Sequence, residues 1–222
     1  MRCALACACA CVARALVLSP SRPRPLVVRR SIFDDDAAPA AVRVKFTTTA
    51  GDFRVTVDPA LSPIGVGQFL ALVNEEYFAG APLWRVVPGA LVQFGYAVDP
   101  AATARWDPSR GAPMPPLPDE PNGAPFRSGT LSYAGDGPNS RCCHFFFALD
   151  PVGSTLGDAP HETTLGWADD AAVLERVVAN YEAAGYVGAV DGRALAAELA
   201  AVGGEAADAY PALDRILACA VE

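Results

Sequence analysis

The stretch WRVVPGALVQFG, from Trp84 to Gly95, places one arginine and one glutamine in an otherwise apolar run. Its two apolar halves flank a Pro-Gly pair, which predicts a strand, a tight turn and a second strand. Burying Arg85 or Gln93 without a partner would be unfavourable, and an unpaired arginine costs several times more than an amide. We therefore expect both side chains to face solvent or a bound molecule.

The segments on either side of this stretch predict further strands and helices. Residues 42–57, VRVKFTTTAGDFRVTV, alternate apolar and polar side chains about an Ala-Gly-Asp turn, which predicts a hairpin. Ser62 and Pro63 then begin a run with apolar residues at helical spacing, so Ser62 is the expected N-cap and Pro63 the first helical residue. Further strands are predicted in GTLSYAG, HFFFAL, TTLGWA and DRILACAV, and helices in DDAAVLERVVANYEA and RALAAELAAV.

These predicted elements favour a mainly β architecture. Strands and helices do not alternate regularly, so the pattern fits a closed antiparallel barrel with helical caps better than a parallel sheet. Residues 97–127 are rich in Pro, Gly and Ala without a clear period, and we expect them to form a long surface loop. With 52% hydrophobic residues among 222, the chain can bury a substantial core.

The charge of the chain is unevenly distributed. Six of its 17 basic residues, all arginines, fall within residues 1–33, which contain no acidic residue. The remainder carries 11 basic against 25 acidic side chains, a formal charge of −14. The strong negative charge of the residues after position 33 argues against nucleic acid or an anionic membrane as the main partner.

The composition of residues 1–33 is typical of a targeting leader. CALACACACVA is a short run of small apolar residues, too short to span a bilayer, and LSPSRPRPLVVRRSIF is rich in Arg, Ser and Pro. Taken in order, they predict a bipartite leader that directs the protein to a plastid, with the secretory pathway as the alternative. A linker is predicted over 34–41 and a folded domain over 42–222.

Seven cysteines are present, and four of them lie in the predicted leader. Cys142, Cys143 and Cys219 remain, and their spacing gives neither a disulfide framework nor a zinc motif. We expect buried thiols, because adjacent cysteines form a disulfide only with strain. A redox role for Cys142 and Cys143 is the alternative.

Four separated blocks resemble the cyclophilin family of peptidyl-prolyl isomerases. They are VKFTTTAGDFRVTV, FLALVNEEYFAGAPLWRVVPGALVQFG, PDEP and GTLSYAGDGPNSRCCHFFFAL, in this order, and the resemblance covers about residues 42–182. The ending QFG and the segment DGPNSR are similar to a variant branch of the family. The resemblance implies an eight-stranded antiparallel barrel capped by two α-helices, to which this chain adds a short C-terminal helix.

The resemblance also implies a site. Arg85 matches the catalytic arginine of the family and Gln93 the glutamine that grips the substrate. The positions that match its substrate-binding groove are Leu91, Phe146, His144, Ala90, Ala134, Gly135, Leu156 and His161.

Four of these positions depart from the family pattern, and one of them is Leu91, which stands where the family has a methionine. Ala90 replaces a pocket phenylalanine, Gly135 an asparagine and His144 a second glutamine. The implied function is rotation about X-Pro bonds in client proteins, by a monomer that needs no cofactor or metal. The alternative is a module that binds proline-containing segments with little turnover.

Overall fold

The computed structural model describes residues 40–152 and 154–222. The leader predicted over 1–33, and all but the last two residues of the linker predicted over 34–41, lie outside this part of the chain. The described strands are β1 (Val42–Thr48), β2 (Gly51–Val57), β3 (Arg85–Val87), β4 (Leu91–Phe94), β5 (Thr130–Tyr133), β6 (Phe145–Ala148), β7 (Thr164–Ala168) and β8 (Ile216–Val221). The described α-helices are α1 (Pro63–Asn74), α2 (Pro100–Trp106), α3 (Ala172–Ala183) and α4 (Gly192–Val202).

The described strands form one antiparallel sheet in the order β3-β4-β6-β5-β7-β2-β1-β8. Its first hairpin follows the predicted alternation, with Val44 opposite Val55 and Phe46 opposite Phe53. Because side chains alternate between the two faces of a strand, this register places all four on the same side. Their burial confirms which face is the core.

The prediction of a closed barrel is wrong, because the sheet is an open half-barrel whose edge strands β3 and β8 are not paired with each other. Residues 80–83 span the gap through single backbone hydrogen bonds, such as Leu83 N to Asp214 O at 2.8 Å and Ile216 N to Ala81 O at 2.8 Å. An isolated bridge joins Pro82 to Arg215. Proline has no amide hydrogen to donate, so a regular ladder cannot run through this segment.

The first helix begins as predicted, but its cap comes from elsewhere in the chain. Pro63 is the first helical residue, while the Ser62 side chain makes no capping bond within the helix. Instead the Glu120 carboxylate accepts from Ile64 N at 2.8 Å and Gly65 N at 2.9 Å. A distant acidic side chain therefore satisfies amides that every helix start leaves free.

The long loop predicted over 97–127 contains an additional helix, α2. Asp99 is its N-cap and accepts from Ala101 N at 2.9 Å, and Pro100 is its first residue. An Asp-Pro pair before a run rich in alanine is a pattern that predicts a helix start. It was overlooked because the surrounding segment is rich in proline and glycine. The described part of the chain thus has four α-helices where two caps and one short C-terminal helix were predicted. Among the described residues, none of the helices has both the length and the apolar character needed to cross a bilayer.

The core lies between the concave face of the sheet and the helices. Seven phenylalanines pack there with ring centroids 5.1–6.4 Å apart: Phe46, Phe53, Phe69, Phe78, Phe94, Phe145 and Phe147. Such aromatic packing buries a large apolar area. It also fixes which residues of β3, β4 and β6 must point to the opposite face.

Candidate active site

Arg85, Gln93 and Phe146 lie in one row across three neighbouring strands. Arg85 of β3 pairs with Gln93 of β4, and Gln93 pairs with Phe146 of β6. Directly opposed residues of antiparallel strands point to the same face. Their sequence neighbours Val92 and Phe145 are buried in the core, so this row occupies the outer face of the sheet.

The polar end of this row is held by a hydrogen bond between side chains. Arg85 is exposed, and its Nη1 donates to Gln93 Oε1 at 3.0 Å. Both residues line a cavity of about 530 Å³ together with Trp84 and the start of α4, including Arg193. The guanidinium is therefore tethered and still accessible.

The apolar end of the row is a small hydrophobic cluster separate from the main core. Leu91, Phe146 and Ala148 form its buried part. The partly buried residues packed against it are Val87, Ala90, Phe126, Ala134 and Leu156. This arrangement brings five of the positions implied by the resemblance onto one patch beside Gln93: Leu91, Phe146, Ala90, Ala134 and Leu156.

Phe126 belongs to this patch and was missed by the sequence analysis. Its ring lies 6.0 Å from that of Phe146, centroid to centroid. Gly157 also packs against it, since a Cβ atom at Gly157 would come within 2.9 Å of the Phe126 ring. The packed side chains leave Phe146 only 2% exposed. The available signal was an aromatic residue among the prolines and glycines of the segment 107–127.

A second cavity, of about 460 Å³, adjoins the row at Gln93. Gln93, Ala134, Gly135 and His144 all line it. His161 packs against Gly135, where a Cβ atom would lie 2.8 Å from His161 Cδ2. Ala134 belongs both to this cavity and to the apolar cluster, so the ten site residues predicted from the sequence occupy one continuous region. Their individual roles stay predictions.

His144 contacts two polar groups beside this cavity, of which Asp107 lines it. Its Nε2 lies 3.4 Å from Asp107 Oδ2 and 3.8 Å from Cys143 Sγ. Burial acts to raise the pKa of Asp107, but hydrogen bonds from His144 and Ser109 outweigh it and lower that pKa to about 2. Asp107 is therefore ionised at neutral pH. This contact could not be predicted from local sequence pattern, because 37 residues separate the pair.

Cys142 and Cys143 are buried free thiols, as expected from the sequence. The hydrogen bond between them lowers the pKa of Cys142, since it stabilises the thiolate of that residue, and raises the pKa of Cys143. Cys219, in the described part of the chain, is also buried, and burial raises the pKa of its thiol. The redox alternative for the adjacent pair stays a prediction.

A buried ion pair fixes the segment that precedes His144. Arg141 is fully buried and donates from Nη1 to Glu120 Oε2 at 2.9 Å. Burial acts to raise the pKa of Glu120, but hydrogen bonds from Ser62, two α1 amides and Arg141 hold it below its ordinary value. One carboxylate therefore ties the start of α1 to the segment that carries the cavity wall.

Comparisons with known proteins identify the family to which the chain is similar. A family model described as cyclophilin type peptidyl-prolyl cis-trans isomerase/CLD matches residues 43–216. A probable peptidyl-prolyl cis-trans isomerase of Brucella abortus (strain 2308) is 33% identical over 105 residues, 45% of this chain and 54% of that protein. A peptidyl-prolyl cis-trans isomerase-like 1 of Aspergillus niger is 32% identical over 111 residues, 50% of this chain and 67% of that protein.

The chain spans about half the length of the first of these curated relatives. Among solved structures, a cyclophilin type peptidyl-prolyl cis-trans isomerase of Cryptosporidium parvum aligns with a TM-score of 0.46 and 22% identity. That alignment covers 61% of this chain and 83% of the other.

Proposed function

The chain belongs to the cyclophilin-type peptidyl-prolyl cis-trans isomerase family, and we propose that it catalyses rotation about X-Pro peptide bonds in protein segments. The observation that carries the proposal is the row of Arg85, Gln93 and Phe146 on the outer face of the sheet. In this row the Arg85 guanidinium, held by Gln93, lies beside the apolar patch that contains Phe146. A hydrogen-bond donor and an apolar patch are the two features that the reaction needs.

The reaction needs neither a nucleophile nor a proton transfer. Rotation about a peptide bond breaks amide resonance at a barrier of about 18–20 kcal/mol and forms no new covalent bond. A site accelerates it by holding the twisted bond more tightly than either planar form. As resonance is lost, the proline nitrogen regains a lone pair and becomes a hydrogen-bond acceptor.

Arg85 is the group proposed to use that acceptor. A guanidinium donates strongly directional, charge-assisted hydrogen bonds, and here it would gain one only when the bond is twisted. The hydrogen bond from Nη1 to Gln93 restricts the side chain and leaves its other donors for a substrate. Gln93 has an amide NH₂ group to offer to the substrate backbone.

The apolar cluster is proposed to hold the proline ring. Leu91 and Phe146 supply its floor, and Ala90, Ala134 and Leu156 its rim. Phe146 is only 2% exposed, and the Phe126 ring is one of the side chains packed against its cluster, 6.0 Å from the Phe146 ring. We therefore propose that Phe126 occupies the proline subsite of the free protein.

The proposal is tested by comparing two neighbouring arginines. Arg85 and Arg193 line the same cavity, but only Arg85 belongs to the row. Turnover of an Ala-Pro peptide, measured by NMR exchange or a protease-coupled assay, is expected to fall at least tenfold in Arg85→Ala and to change less than twofold in Arg193→Ala. Unchanged turnover in a folded Arg85→Ala protein would overturn the mechanism.

A module that binds proline-containing segments with little turnover is the second candidate. The departures at Ala90 and Gly135 favour it, since they replace a phenylalanine and an asparagine of the family's groove. The same assay separates the two candidates. Wild-type protein that binds an Ala-Pro peptide but leaves its exchange rate at the uncatalysed value supports the binding module.

The cellular setting is a separate proposal that rests on composition. Residues 1–33, with their arginines and no acidic residue, support import into a plastid, and the alternative is secretion. A fluorescent protein fused behind residues 1–41 tests this: plastid fluorescence is expected, and fluorescence in the secretory pathway would contradict it. Proline-containing client segments, bound by a monomer, are the proposed partners.

A further inference from the structure

Three consecutive side chains converge beside the 460 Å³ cavity, which Cys142 and His144 line. The donor atoms of Cys142, Cys143 and His144 all lie within 4.8 Å of one another. In a regular strand successive side chains point to opposite faces. The backbone bends at Cys142 and Cys143, just before β6 begins, and the three donor atoms lie close together at this bend.

The backbone on both sides of the bend is anchored. Before it, Leu117 N donates to Arg141 O at 2.8 Å, and the buried Arg141 side chain is bound by Glu120. After it, Ala134 N donates to His144 O at 2.9 Å. At the bend itself the Gln68 side-chain amide donates to the Cys142 carbonyl. The donors are therefore held together by the fold.

The spacing of the donors suits one small thiophilic cation. With Zn–S of about 2.3 Å and Zn–N of about 2.0 Å, ligands of one tetrahedral zinc lie about 3.5–3.8 Å apart. Cys143 Sγ and His144 Nε2 are already 3.8 Å apart. Two thiols and one imidazole are ligands that zinc prefers, whereas calcium and magnesium prefer oxygen.

The imidazole of His144 also has its polar contacts beside the two cysteines. Its Nε2 faces Cys143 and Asp107, and its Nδ1 is buried without a hydrogen-bond partner within the described residues. Cys142, His144 and Asp107 all line the cavity. A cation held there would have a fourth position open to the cavity and a carboxylate beside it.

We propose that Cys142, Cys143 and His144 form a binding site for one thiophilic metal ion of the zinc class. Three protein ligands and one open position are the arrangement that zinc adopts where it remains accessible to a further ligand. The spacing of the cysteines alone did not predict this site, because it depends on the bend and on the adjacent histidine. The proposal is independent of isomerase activity.

The test is a titration of the full chain with Zn²⁺ or Cd²⁺. Cys3, Cys7, Cys9 and Cys11 are first replaced by serine, so that they cannot bind the added metal. Calorimetry with Zn²⁺ is expected to give one site per chain. With Cd²⁺ a thiolate-to-metal charge-transfer band is expected to saturate at one equivalent.

Variants assign the ligands in the same serine background. Cys142→Ser, Cys143→Ser and His144→Gln are each expected to weaken Zn²⁺ binding at least tenfold. The matched controls are Cys219→Ser and His161→Gln, which remove a buried thiol and a buried histidine outside the cluster and are expected to change affinity less than twofold. Circular dichroism identifies variants that fail to fold, and Cys142, at the cavity wall, is the position expected to tolerate substitution best.

Two results would overturn the proposal. One is the absence of stoichiometric binding at micromolar Zn²⁺ in folded protein. The other is binding that Cys142→Ser and His144→Gln leave unchanged, because the metal would then be held elsewhere.

Discussion

Arg85 Nη1 donates a hydrogen bond of 3.0 Å to Gln93 Oε1, between directly paired residues of β3 and β4. Each side chain therefore restricts the other on the outer face of the sheet. Because the two belong to one hydrogen-bonded unit, the effects of removing them should not add. This coupling can be measured.

We expect Gln93→Ala to reduce kcat/KM on an Ala-Pro peptide less than Arg85→Ala does, which itself removes a charge-assisted bond worth about 1.5–3 kcal/mol. The double variant is expected to be little worse than Arg85→Ala alone, since Gln93 acts partly by orienting the arginine. A double-mutant cycle on kcat/KM checks this. Strictly additive losses would show that the two side chains act independently.

Phe126→Ala is expected to raise kcat/KM several-fold. The substitution uncovers Phe146, so a proline ring no longer has to displace an aromatic side chain. Phe126→Leu, which keeps most of the covering side chain, is the matched control and should give a smaller gain. If turnover instead falls in Phe126→Ala, the ring is a wall of the subsite, and our assignment of Phe126 is wrong.

Glu120→Gln is expected to destabilise the fold by about 3–5 kcal/mol, because it leaves the fully buried Arg141 without its anion. Denaturant unfolding measures the change. Asp208→Asn is the control: it breaks the ion pair with Arg215, but Asp208 is 72% exposed, and exposed pairs contribute only about 0–1 kcal/mol. Similar losses in the free energy of unfolding in both variants would contradict the claim that burial makes the Arg141–Glu120 pair the more important one.

The same carboxylate predicts a pH dependence of stability. The pKa of Glu120 is lower in the folded than in the unfolded chain, so the unfolded chain binds more protons between the two values. The contribution is fully present above the ordinary glutamate pKa of about 4.3 and is lost as pH falls through the lower folded value. The free energy of unfolding of Glu120→Gln should fall less steeply than that of wild type below pH 4.3. Parallel curves would refute this.

Gly166→Ala is expected to destabilise the fold by about 1–3 kcal/mol or more, as overpacking does. Gly166 of β7 pairs with Val57 of β2, and an added methyl group would overlap the Thr56 carbonyl oxygen. Gly123→Ala is the control, since a Cβ atom there would meet only Leu61 at 3.6 Å, an ordinary contact. Thermal unfolding of both variants provides the comparison.

Much of the fold could be predicted from local pattern. The period-two alternation in 42–57 specified both the first hairpin and its buried face, and Pro63 marked the start of α1. The pairing of β3 with β4 about Pro88-Gly89 could also be predicted, because two strands joined by a tight turn are close in sequence. The sheet closure was predicted wrongly, because whether β3 meets β8 depends on how residues 80–83 lie against a segment more than 100 residues away.

Part of the candidate site could likewise be predicted from the sequence, and part could not. The sequence by itself determined that Arg85 and Gln93 share a face with each other, because residues that flank a tight turn are paired and the apolar positions between them are needed for the core. The resemblance to a family added the positions that match its groove. Neither could reveal Phe126 over Phe146, Glu120 capping α1 and binding Arg141, or His144 beside Asp107. These contacts join residues 20 to 56 positions apart. Which residues meet in these contacts depends on side-chain packing and on the high free-energy cost of leaving a buried charge or amide unpaired. Both conditions are met only when the whole chain has folded.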